Sequence, residues 1–375
     1  MQHKQTVMRI GFDAKRLFNN FTGLGNHSRT SIDILAKQFP KCGLHLYTPR
    51  IPDNDISRRY ASMPQCIVHT PRGVLRGSLW RTFGMAEEVS LDSIDVFHGL
   101  SNELPLGLRR RGVPSVVTIH DVAFRTFPDM YHWQDRLIYD KKWEYACKSA
   151  SRIIAISQCT KRDIVRFYGV DEKKISVVYQ PVNSIYYGPL PDTDKARTEP
   201  YMLYVGSVNS RKNLMGVVKA MSLLPKDLQI PLVVVGNGGG YRRMVEKFVA
   251  DNGLGHLVKW QTANDHQTLQ RLYAGARLFV YPSFYEGFGL PVVEAQLCGC
   301  PVITSDVSSL PEAGGPHAFT VSPDSAEQIA HTMRQLITDD ELCLKAGREG
   351  REHALKAFDP ARLACQLMDE YKSVM

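Results

Sequence analysis

Short apolar runs rich in Val, Ile and Leu alternate with amphipathic helical stretches along the whole of this chain. Such alternation is typical of parallel sheets covered by helices. With 375 residues the chain exceeds the size that one hydrophobic core usually supports, so we expect two domains of roughly 180 residues each. The runs that read as strands are Met8–Asp13, Ile94–His98, Pro114–His120, Arg152–Ile156, Ile175–Tyr179, Tyr201–Gly206, Pro231–Gly236, Val258–Trp260, Leu278–Tyr281 and Pro301–Thr304.

A polar, proline-rich segment, Tyr187–Pro200, separates the first five runs from the last five. Its composition favours a linker between domains. We therefore predict one Rossmann-like domain over residues 1–188 and a second over residues 199–359. The carboxyl ends of both sheets are expected to face a central cleft, where open α/β sheets bind their ligands.

Composition narrows the class of protein. No run approaches the roughly 18 apolar residues of a membrane-spanning helix, and the first ten residues lack the apolar region of a signal peptide. We therefore expect a cytoplasmic protein. None of the eight cysteines has a C-x-x-C spacing, so reduced, buried thiols are expected.

The net charge of +8 is unevenly divided along the chain. Residues 1–190 contain 27 Lys and Arg against 17 Asp and Glu, a net +10, whereas residues 191–375 contain 19 against 21, a net −2. A basic first half suits an anionic partner, such as phospholipid headgroups or a lipid diphosphate. Nucleic acid is disfavoured, because the chain carries no helix-turn-helix, RNP or zinc-finger signature. A merely solvated basic face is the alternative.

The segment Phe284–Glu294 holds two glutamates, Glu286 and Glu294, on either side of a Gly-x-Gly sequence. It lies between a predicted strand and a stretch whose early proline suits the first turn of a helix. Backbone N–H groups and the helix dipole favour a phosphate there, and Gly287 and Gly289 let a ligand approach the main chain. Both carboxylates are then expected to face neutral hydroxyl groups. Alternatively, one glutamate caps the helix and the other is solvated.

Other polar residues and glycines also follow directly after predicted strands, where ligands of parallel sheets bind. They are Asp13 with the loop Thr22–Asn26, His120 with Asp121, Ser207–Lys212, and Gly236–Gly238.

Together these motifs resemble those of the family 4 retaining glycosyltransferases, bacterial group 1 enzymes of GT-B fold that use nucleotide-sugar donors. The resemblance covers residues 8–372. It rests on five motifs in the family's order: the glycine pair Gly23 and Gly25, the His120-Asp121 step, Gly206–Asn213, Gly236–Gly238 and Glu286–Glu294.

The resemblance implies that the second domain holds the nucleotide sugar. Arg211 and Lys212 would bind the diphosphate, Glu294 the ribose, and Glu286 the hydroxyl groups of the donor sugar. Glycines and backbone groups of the matching loops would complete the donor site: Ser207, Gly236, Gly238, Gly287, Phe288, Gly289 and Leu290.

In the first domain the resemblance implies that Gly23 and Gly25 lie near the diphosphate and that His120 lies beside the transferred sugar. Ser157 matches a serine common at the start of the following helix. The C-terminal helix, residues 360–375, would cross back to pack on the first domain. For His120 the alternative is a satisfied histidine at a strand end, and for Arg211 and Lys212 a solvated pair at a helix start.

The predicted catalytic residues are His120, Glu286, Arg211 and Lys212. Breaking a sugar–diphosphate bond increases charge on the leaving group, and Arg211 and Lys212 would stabilise that charge without a metal ion or other cofactor. Because no residue is an obvious nucleophile, the family precedent of a front-face route is expected. Two short acidic motifs, Asp53–Asp55 and Asp192–Asp194, sit in polar loops and are not expected to bind metal.

The resemblance also bears on the partners. Two segments, Val96–Pro105 and Thr118–Val122, look most like mannosyltransferases of polysaccharide assembly, which favours GDP-mannose over a UDP-sugar. The acceptor would be a glycan or a lipid-linked saccharide bound by the first domain. Basic and aromatic residues of Arg109–Arg111 and Arg136–Lys148, with Trp133, suggest peripheral contact with an anionic membrane, although aromatic residues at helical spacing more often belong to a core.

Two other functions are compatible with the motifs. A nucleotide-sugar epimerase shares the double Rossmann-like fold, and a non-catalytic nucleotide-sugar-binding protein would have a similar site. A dehydrogenase is disfavoured, because neither glycine pair completes a G-x-G-x-x-G motif with an acidic residue about twenty positions later.

Overall fold

The computed structural model describes residues 8–191, 199–263 and 265–375. Its contacts divide the chain into two compact units. The first runs to Pro181 and includes Pro360–Met375, and the second is Val182–Asp359. The sequence predicts that the first domain ends at residue 188. Asp192 and Asp194, and half of the predicted linker Tyr187–Pro200, lie outside the described residues.

The described part of the first unit contains a parallel sheet of seven strands in the order β3-β2-β1-β4-β5-β6-β7. The order reverses between β1 and β4, as in Rossmann-like sheets. The strands are β1 (Arg9–Asp13), β2 (Gly43–Tyr47), β3 (Cys66–His69), β4 (Val96–Gly99), β5 (Ser115–Ile119), β6 (Arg152–Ala155) and β7 (Ile175–Val177).

The described part of the second unit contains a parallel sheet of six strands in the order β10-β9-β8-β11-β12-β13. Here the order reverses between β8 and β11. The strands are β8 (Met202–Val205), β9 (Leu232–Val235), β10 (Val258–Gln261), β11 (Leu278–Tyr281), β12 (Val302–Ser305) and β13 (Phe319–Val321).

Helices connect successive strands in both units, as parallel pairing requires. Those of the first unit are α1 (Lys15–Asn19), α2 (Gly23–Gln38), α3 (Asp55–Ala61), α4 (Gly77–Leu79), α5 (Met85–Leu91), α6 (Ala123–Thr126), α7 (Trp133–Ser149) and α8 (Gln158–Tyr168). Those of the second unit are α9 (Leu214–Ser222), α10 (Gly240–Asp251), α11 (His266–Gly275), α12 (Leu290–Leu297), α13 (Leu310–Gly314), α14 (Ala326–Thr338) and α15 (Asp340–Ala357), and α16 (Pro360–Lys372) returns to the first.

The predicted strands are all present, but three further strands were missed. β2 alternates apolar residues with a polar histidine, β3 is four residues long, and β13 is a three-residue edge strand. All three are short and lack a continuous apolar run, so their sequences alone do not distinguish them from loop. The central strands β4, β5, β8 and β11 are buried throughout, because helices cover both faces of the sheets.

Helix α16 packs against α2 within the first unit, so the predicted return of the C-terminal helix is confirmed. It buries Leu363, Leu367 and Tyr371 against one face of the sheet. The Tyr371 hydroxyl shares a 2.8 Å hydrogen bond with Nδ1 of His98. The expectation of buried thiols needs two corrections, because Cys365 on this helix is exposed and Cys42 is only partly buried.

Candidate active site

The residues predicted to bind the donor diphosphate lie where the strand order of the second unit reverses. Arg211 and Lys212 follow β8, and Glu286 follows β11, the neighbouring strand. Loops after adjacent parallel strands meet at the same edge of a sheet, and the reversal leaves a crevice between them. The backbone joins the two loops directly, because the N–H of Phe284 donates to the carbonyl of Arg211 at 2.8 Å.

The structure brings Arg211, Lys212 and Glu286 together as one ionic cluster. Nζ of Lys212 lies 2.5 Å from Oε1 of Glu286, and Nη1 of Arg211 lies 3.2 Å from Oε2. The hydroxyl of Tyr281 donates to Oε1 at 2.9 Å. Burial acts to raise the pKa of Glu286, yet the two cations and the Tyr281 hydroxyl hold it below the ordinary value. The cluster therefore carries two positive charges and one negative charge.

Asn213, the residue after Lys212, ties together the loops that carry this cluster. It is buried and adopts a left-handed backbone with φ of 57°, which lets its side chain cap α9. Its amide nitrogen donates to the carbonyls of Pro282 and Pro323, at 3.1 and 2.7 Å. The β8, β11 and β13 loops are thereby tied to one side chain. Sequence reasoning did not assign Asn213 a role, although an asparagine after a basic pair at a helix start is a cap signal.

Two predicted donor-site glycines are required by close backbone packing. A Cβ on Gly236 would lie 1.8 Å from the carbonyl oxygen of Gly206, and one on Gly238 would lie 2.3 Å from that of Val208. The N–H of Val208 donates to the carbonyl of Asn237 at 2.8 Å. The loops after β8 and β9 therefore touch through their main chains. Ser207, at the outer side of this contact, is exposed.

The turn before α12 is tightly held. Gly289 has φ of 116°, and a Cβ there would lie 2.8 Å from Leu310. The hydroxyl of Ser309 lies 2.8 Å from the carbonyl oxygens of both Glu286 and Phe288 and shares its one proton between them. The Phe288 ring is buried against Phe358, so its predicted contact with phosphate involves the main chain alone. Gly287 and Leu290 lie in the same turn and are partly buried.

Glu294 stands apart from this cluster, one turn into α12. Its Oε2 accepts a 3.1 Å hydrogen bond from the hydroxyl of Tyr273. Burial raises the pKa of Glu294 to about 7, and the Tyr273 hydroxyl opposes the rise only in part. A cation that would neutralise Glu294 is absent from its hydrogen bonds and ion pairs within the described residues. The carboxylate is therefore poorly solvated and suited to accept hydrogen bonds from ligand hydroxyl groups.

In the first unit His120 follows β5 and is buried. Its Nε2 lies 2.8 Å from the carbonyl oxygen of Leu100, and its Nδ1 lies 2.7 Å from the amide nitrogen of Gln180. Burial lowers the pKa of His120. The ring is thus neutral, and both of its nitrogens bind other groups of the same unit. Asp121, the next residue, accepts from the N–H of Ala123 at 2.9 Å.

The glycine pair Gly23 and Gly25 was expected in a loop directly after β1, and this expectation is wrong. The short helix α1 follows β1, and the two glycines form the first turn of α2. A Cβ on Gly25 would lie 1.8 Å from the carbonyl oxygen of Asn20, whereas one on Gly23 would meet no atom within 4 Å. Packing of the helix therefore requires a glycine at position 25, and it does not at position 23.

Comparison with known proteins decides the family. Residues 191–353 match the model of the family described as glycosyl transferases group 1, and residues 29–184 match that of glycosyltransferase family 4. The chain is 31% identical over 287 residues to O-antigen chain mannosyltransferase B of Escherichia coli, a match that covers 74% of each chain. The chain belongs to the group 1 glycosyltransferases.

Solved structures support the same conclusion for the fold of this group 1 glycosyltransferase. A glycosyltransferase from Rickettsia africae has a TM-score of 0.74 at 17% identity, and the match covers 98% of this chain and 99% of that one. HepE of Anabaena, in complex with UDP, has a TM-score of 0.74 at 18% identity, covering 98% and 100%. The GT-B class predicted from the resemblance, with its two Rossmann-like sheets, is confirmed, and the chain is a hexosyltransferase.

Other predicted features of this glycosyltransferase have local structural explanations. Asp53 and Asp55 are exposed and both pair with Arg58, while Asn54 between them caps α3. Ser157 caps α8, its hydroxyl accepting from the N–H of Thr160 at 3.0 Å. Among residues 8–191, 199–263 and 265–375, His, Cys, Asp and Glu side chains form no group of three that could hold a metal ion.

Two tyrosines were missed by the sequence analysis of the glycosyltransferase site. Tyr281, the last residue of β11, binds Glu286, and Tyr273, on α11, binds Glu294. Each reads in the sequence as an ordinary core aromatic, and each ring is indeed buried. A tyrosine at a strand end, five residues before a predicted site carboxylate, is the signal that was available for Tyr281.

None of the helices in the described ranges is both long and apolar enough to span a bilayer.

Proposed function

We propose that this group 1 glycosyltransferase moves mannose from GDP-mannose to a glycan or lipid-linked saccharide, with retention of anomeric configuration and without a metal ion. The relative from Escherichia coli, an O-antigen chain mannosyltransferase, favours mannose as the sugar and polysaccharide assembly as the pathway. HepE was solved with UDP, so a UDP-sugar is the competing donor.

The observation that carries the proposal is the cluster of Arg211, Lys212 and Glu286 where the sheet order reverses. Two cations fixed by one carboxylate leave a net positive charge that is already oriented before the diphosphate arrives. When the sugar–phosphate bond breaks, negative charge grows on the leaving diphosphate. Preorganised cations stabilise that charge more than they stabilise the intact donor, and this difference accelerates the reaction.

The cluster also argues for a front-face route. A double displacement needs a carboxylate that can attack the anomeric carbon. Both oxygens of Glu286 are bound by Lys212, Arg211 and Tyr281, which makes this carboxylate a poor nucleophile. In the proposed route the sugar–phosphate bond breaks, and the acceptor hydroxyl oxygen bonds the anomeric carbon on the same face. Its proton passes to an oxygen of the leaving phosphate.

We place the saccharide acceptor at a cavity of about 200 Å³ in the first unit. Asp13, Arg81, Glu103 and Lys142 line it and form a chain of ion pairs, with Nε of Arg81 2.6 Å from Asp13 and Nη1 2.6 Å from Glu103. Rigid groups of both signs suit the recognition of sugar hydroxyls, which donate and accept. Asp13 ends β1, so the cavity lies at the edge where ligands of this sheet are expected.

Contact with an anionic membrane surface is part of the proposal, but fewer aromatic residues are exposed to make it than the sequence suggested. Trp143 is buried and Tyr145 is partly buried against the core, so of the three aromatic residues only Trp133 is exposed, by 63%. Leu137 and Ile138 on the same helix are exposed as well. With Arg136 beside them, they present apolar and basic groups together, as interfacial helices do.

Vesicle sedimentation tests the membrane contact. A double variant, Trp133→Ser with Leu137→Ser, should bind vesicles of anionic phospholipid less than the unaltered protein does, with neutral vesicles as the reference. Leu344→Ser, which alters an equally exposed leucine of the second unit, is the matched control. Equal binding by all three proteins would remove membrane contact from the proposal.

Donor binding and turnover test the main proposal. Thermal shifts with GDP-, UDP- and ADP-sugars should identify the donor, because a bound ligand raises apparent stability. Lys212→Ala should weaken calorimetric binding of the nucleoside diphosphate, while Lys219→Ala, an exposed lysine on the adjacent helix, should not. Unchanged affinity in Lys212→Ala would overturn the assignment.

Incubation of the donor with and without acceptor separates this function from its rivals. A transferase forms a glycosidic product only when the acceptor is present, and the product should keep the α-configuration after treatment with a chelator. An epimerase would consume the donor alone, and a binding protein would consume nothing in either case. Inversion of configuration, or complete loss of activity that only added metal restores, would contradict the corresponding part of the proposal.

A further inference from the structure

Each ring nitrogen of His120 has one defined partner. Nε2 lies 2.8 Å from the carbonyl oxygen of Leu100, and Nδ1 lies 2.7 Å from the side-chain amide nitrogen of Gln180. A carbonyl oxygen only accepts, so Nε2 must carry the proton. An amide NH2 group only donates, so Nδ1 must be unprotonated. Both contacts therefore specify the same form of the ring, the neutral Nε2–H tautomer.

Reversal of the Gln180 amide does not offer an equally good alternative. Its oxygen would then face Nδ1 and would need a proton there, while the carbonyl of Leu100 still requires one on Nε2. The ring would have to be a buried imidazolium. Because His120 is only 4% exposed, that charge would be strongly disfavoured.

Within the described residues, the hydrogen bonds and ion pairs of the His120 ring do not include a carboxylate. The ring of His27, on α2, meets that of His120 edge to face at 4.6 Å, and His120 in turn acts to lower the pKa of His98, on β4. Asp121 favours protonation of His120 and Arg16 opposes it. Burial outweighs all of these and lowers the pKa of His120, and it lowers those of His27 and His98 as well.

The main chain of His120 is held by a second amide. The N–H of His120 donates to Oδ1 of Asn102 at 2.7 Å. Asn102 is itself buried and adopts a left-handed backbone with φ of 63°. Asparagine tolerates this conformation better than most residues other than glycine. Asn102 thus fixes the backbone of His120, while Leu100 and Gln180 fix its ring.

We propose that Gln180 is a positioning residue that locks His120 in the neutral Nε2–H tautomer, so that this histidine presents an uncharged ring to the transferred sugar and takes no proton from the acceptor. The inference rests on the proposed function in one respect, that His120 lies beside the transferred sugar. Gln180 lies outside all five sequence motifs of the family. It acts through His120 and is not itself placed on the substrate.

The consequence for the reaction is a restriction on the proton's route. Nε2 already donates to Leu100, and the lone pair of Nδ1 already accepts from Gln180, so the ring offers no free basic site. The proton of the acceptor hydroxyl therefore passes to the leaving phosphate, whose oxygen the acceptor oxygen replaces at the anomeric carbon. Rate profiles of the unaltered enzyme should accordingly show no ionisation that belongs to His120.

The tautomer can be read directly by nitrogen-15 NMR of the full chain labelled at histidine. The expected spectrum has a protonated Nε2 and an unprotonated Nδ1 for His120, unchanged between about pH 5.5 and 8, a range in which an ordinary histidine titrates. A protonated Nδ1, or titration within this range, would overturn the proposal. This measurement needs neither donor nor acceptor, so it can fail while the proposed function stands.

Two variants then test whether Gln180 is the cause. In Gln180→Glu the carboxylate can only accept from Nδ1, so His120 should become doubly protonated and titrate at a higher pH. In Gln180→Met, of similar length but without a donor, Nδ1 loses its partner; Leu100 should keep the proton on Nε2, but the ring is then held at one nitrogen only. His353, in the second unit, is the internal control, because its signals should not move.

Kinetics separate positioning from a purely structural role. Both variants should lower kcat by about 100-fold, because Gln180→Glu places a charge on the ring and Gln180→Met leaves the ring held at one nitrogen only, while the KM for the donor stays within about threefold. Gln180→Glu should also acquire a pH dependence of kcat that Gln180→Met lacks. Unchanged kcat in a variant whose ring protonation has altered would refute the functional half. If His120→Ala leaves the rate of transfer unchanged, His120 does not lie beside the transferred sugar, whichever tautomer the NMR spectrum shows.

Discussion

Nζ of Lys212 lies 2.5 Å from Oε1 of Glu286 and 2.5 Å from the hydroxyl oxygen of Tyr281. The ammonium group is thus fixed by a carboxylate and a phenol hydroxyl, and most of both ionic side chains is shielded from water. In such a site an ion pair is sensitive to the loss of either partner. Glu286 has two separable effects on a diphosphate: it orients the cations, and it cancels part of their charge.

Replacement of Glu286 by glutamine separates those effects. Glu286→Gln keeps an oxygen for Lys212 and Tyr281 but removes one negative charge beside the proposed diphosphate. We expect affinity for the nucleoside diphosphate to stay equal or rise in calorimetry, while the transfer rate falls by roughly tenfold or more because the cations lose their orientation. Glu341→Gln, on an exposed helix start, is the control. Weaker diphosphate binding in Glu286→Gln would contradict this account.

Glu294 should make the unliganded protein less stable at neutral pH than at mildly acidic pH. Its pKa rises from 4.5 to about 7 in the folded state, so the folded protein holds a proton that the unfolded chain has released. The destabilisation is absent well below pH 4.5, the pKa of the unfolded chain, and grows as the pH rises from there. It is complete above about pH 7, the pKa in the folded state. Glu294→Gln should therefore raise the free energy of unfolding at pH 8 by about 1–3 kcal/mol.

Urea unfolding at two pH values checks this prediction for Glu294. The gain of Glu294→Gln should largely disappear at about pH 5, where the native carboxyl group is protonated. The same variant should bind the donor nucleotide less well, because an amide is a weaker acceptor for ribose hydroxyls. A variant less stable than the unaltered protein at pH 8 would show that the carboxylate is better solvated than its surroundings suggest.

Replacement of Gly236 by alanine should destabilise the second unit even when no ligand is bound. The new Cβ would lie 1.8 Å from the Gly206 carbonyl, so the two loops must separate, at roughly 3 kcal/mol or more. Gly255→Ala is the matched control, because a Cβ there meets no atom within 4 Å. Thermal unfolding of the two variants provides the comparison. Equal midpoints would mean that the loops yield easily.

The glycine pair of the first unit allows the converse experiment. Gly25→Ala should be destabilising, because of the 1.8 Å approach to the Asn20 carbonyl, whereas Gly23→Ala should leave stability equal or higher, since alanine favours a helix. If Gly23 is needed for approach of the donor diphosphate, Gly23→Ala should slow transfer in a fully folded enzyme. Normal kinetics in Gly23→Ala would limit the role of the pair to packing by Gly25.

The edge of each sheet on which the site lies could be predicted from the sequence, because it depends only on the order of strands and loops. Parallel strands place the residues that follow them on one edge, and Lys212 and Glu286 each follow a recognisable strand. Their contact could not be predicted. The two residues are 74 positions apart, and whether they face each other or a solvated ligand depends on packing around Tyr281 and Asn213.

The glycines show a second limit of the sequence. A glycine that lets a ligand approach and a glycine that lets another loop approach have the same one-letter signature. Gly236 packs against the main chain of Gly206, whereas a Cβ on Gly23 would meet no atom within 4 Å. Likewise Gln180 follows β7 without any pattern to distinguish it, and its role depends on an orientation that only the three-dimensional contact with His120 reveals.

Removal of α16 should unfold the first unit, not merely shorten the chain. Leu363, Leu367, Met368 and Tyr371 are almost fully buried, and burial of such side chains contributes about 1.5–3 kcal/mol each, together comparable to the whole stability of a domain. Deletion of residues 360–375 should abolish the unfolding transition of the first unit in urea. Tyr371→Phe, which loses only the hydrogen bond to His98, should cost about 1 kcal/mol. Cys365→Ser, at an exposed position of the same helix, is the control and should not change the free energy of unfolding measurably. If the chain without residues 360–375 keeps both unfolding transitions, the sheet of the first unit is stable without its last helix.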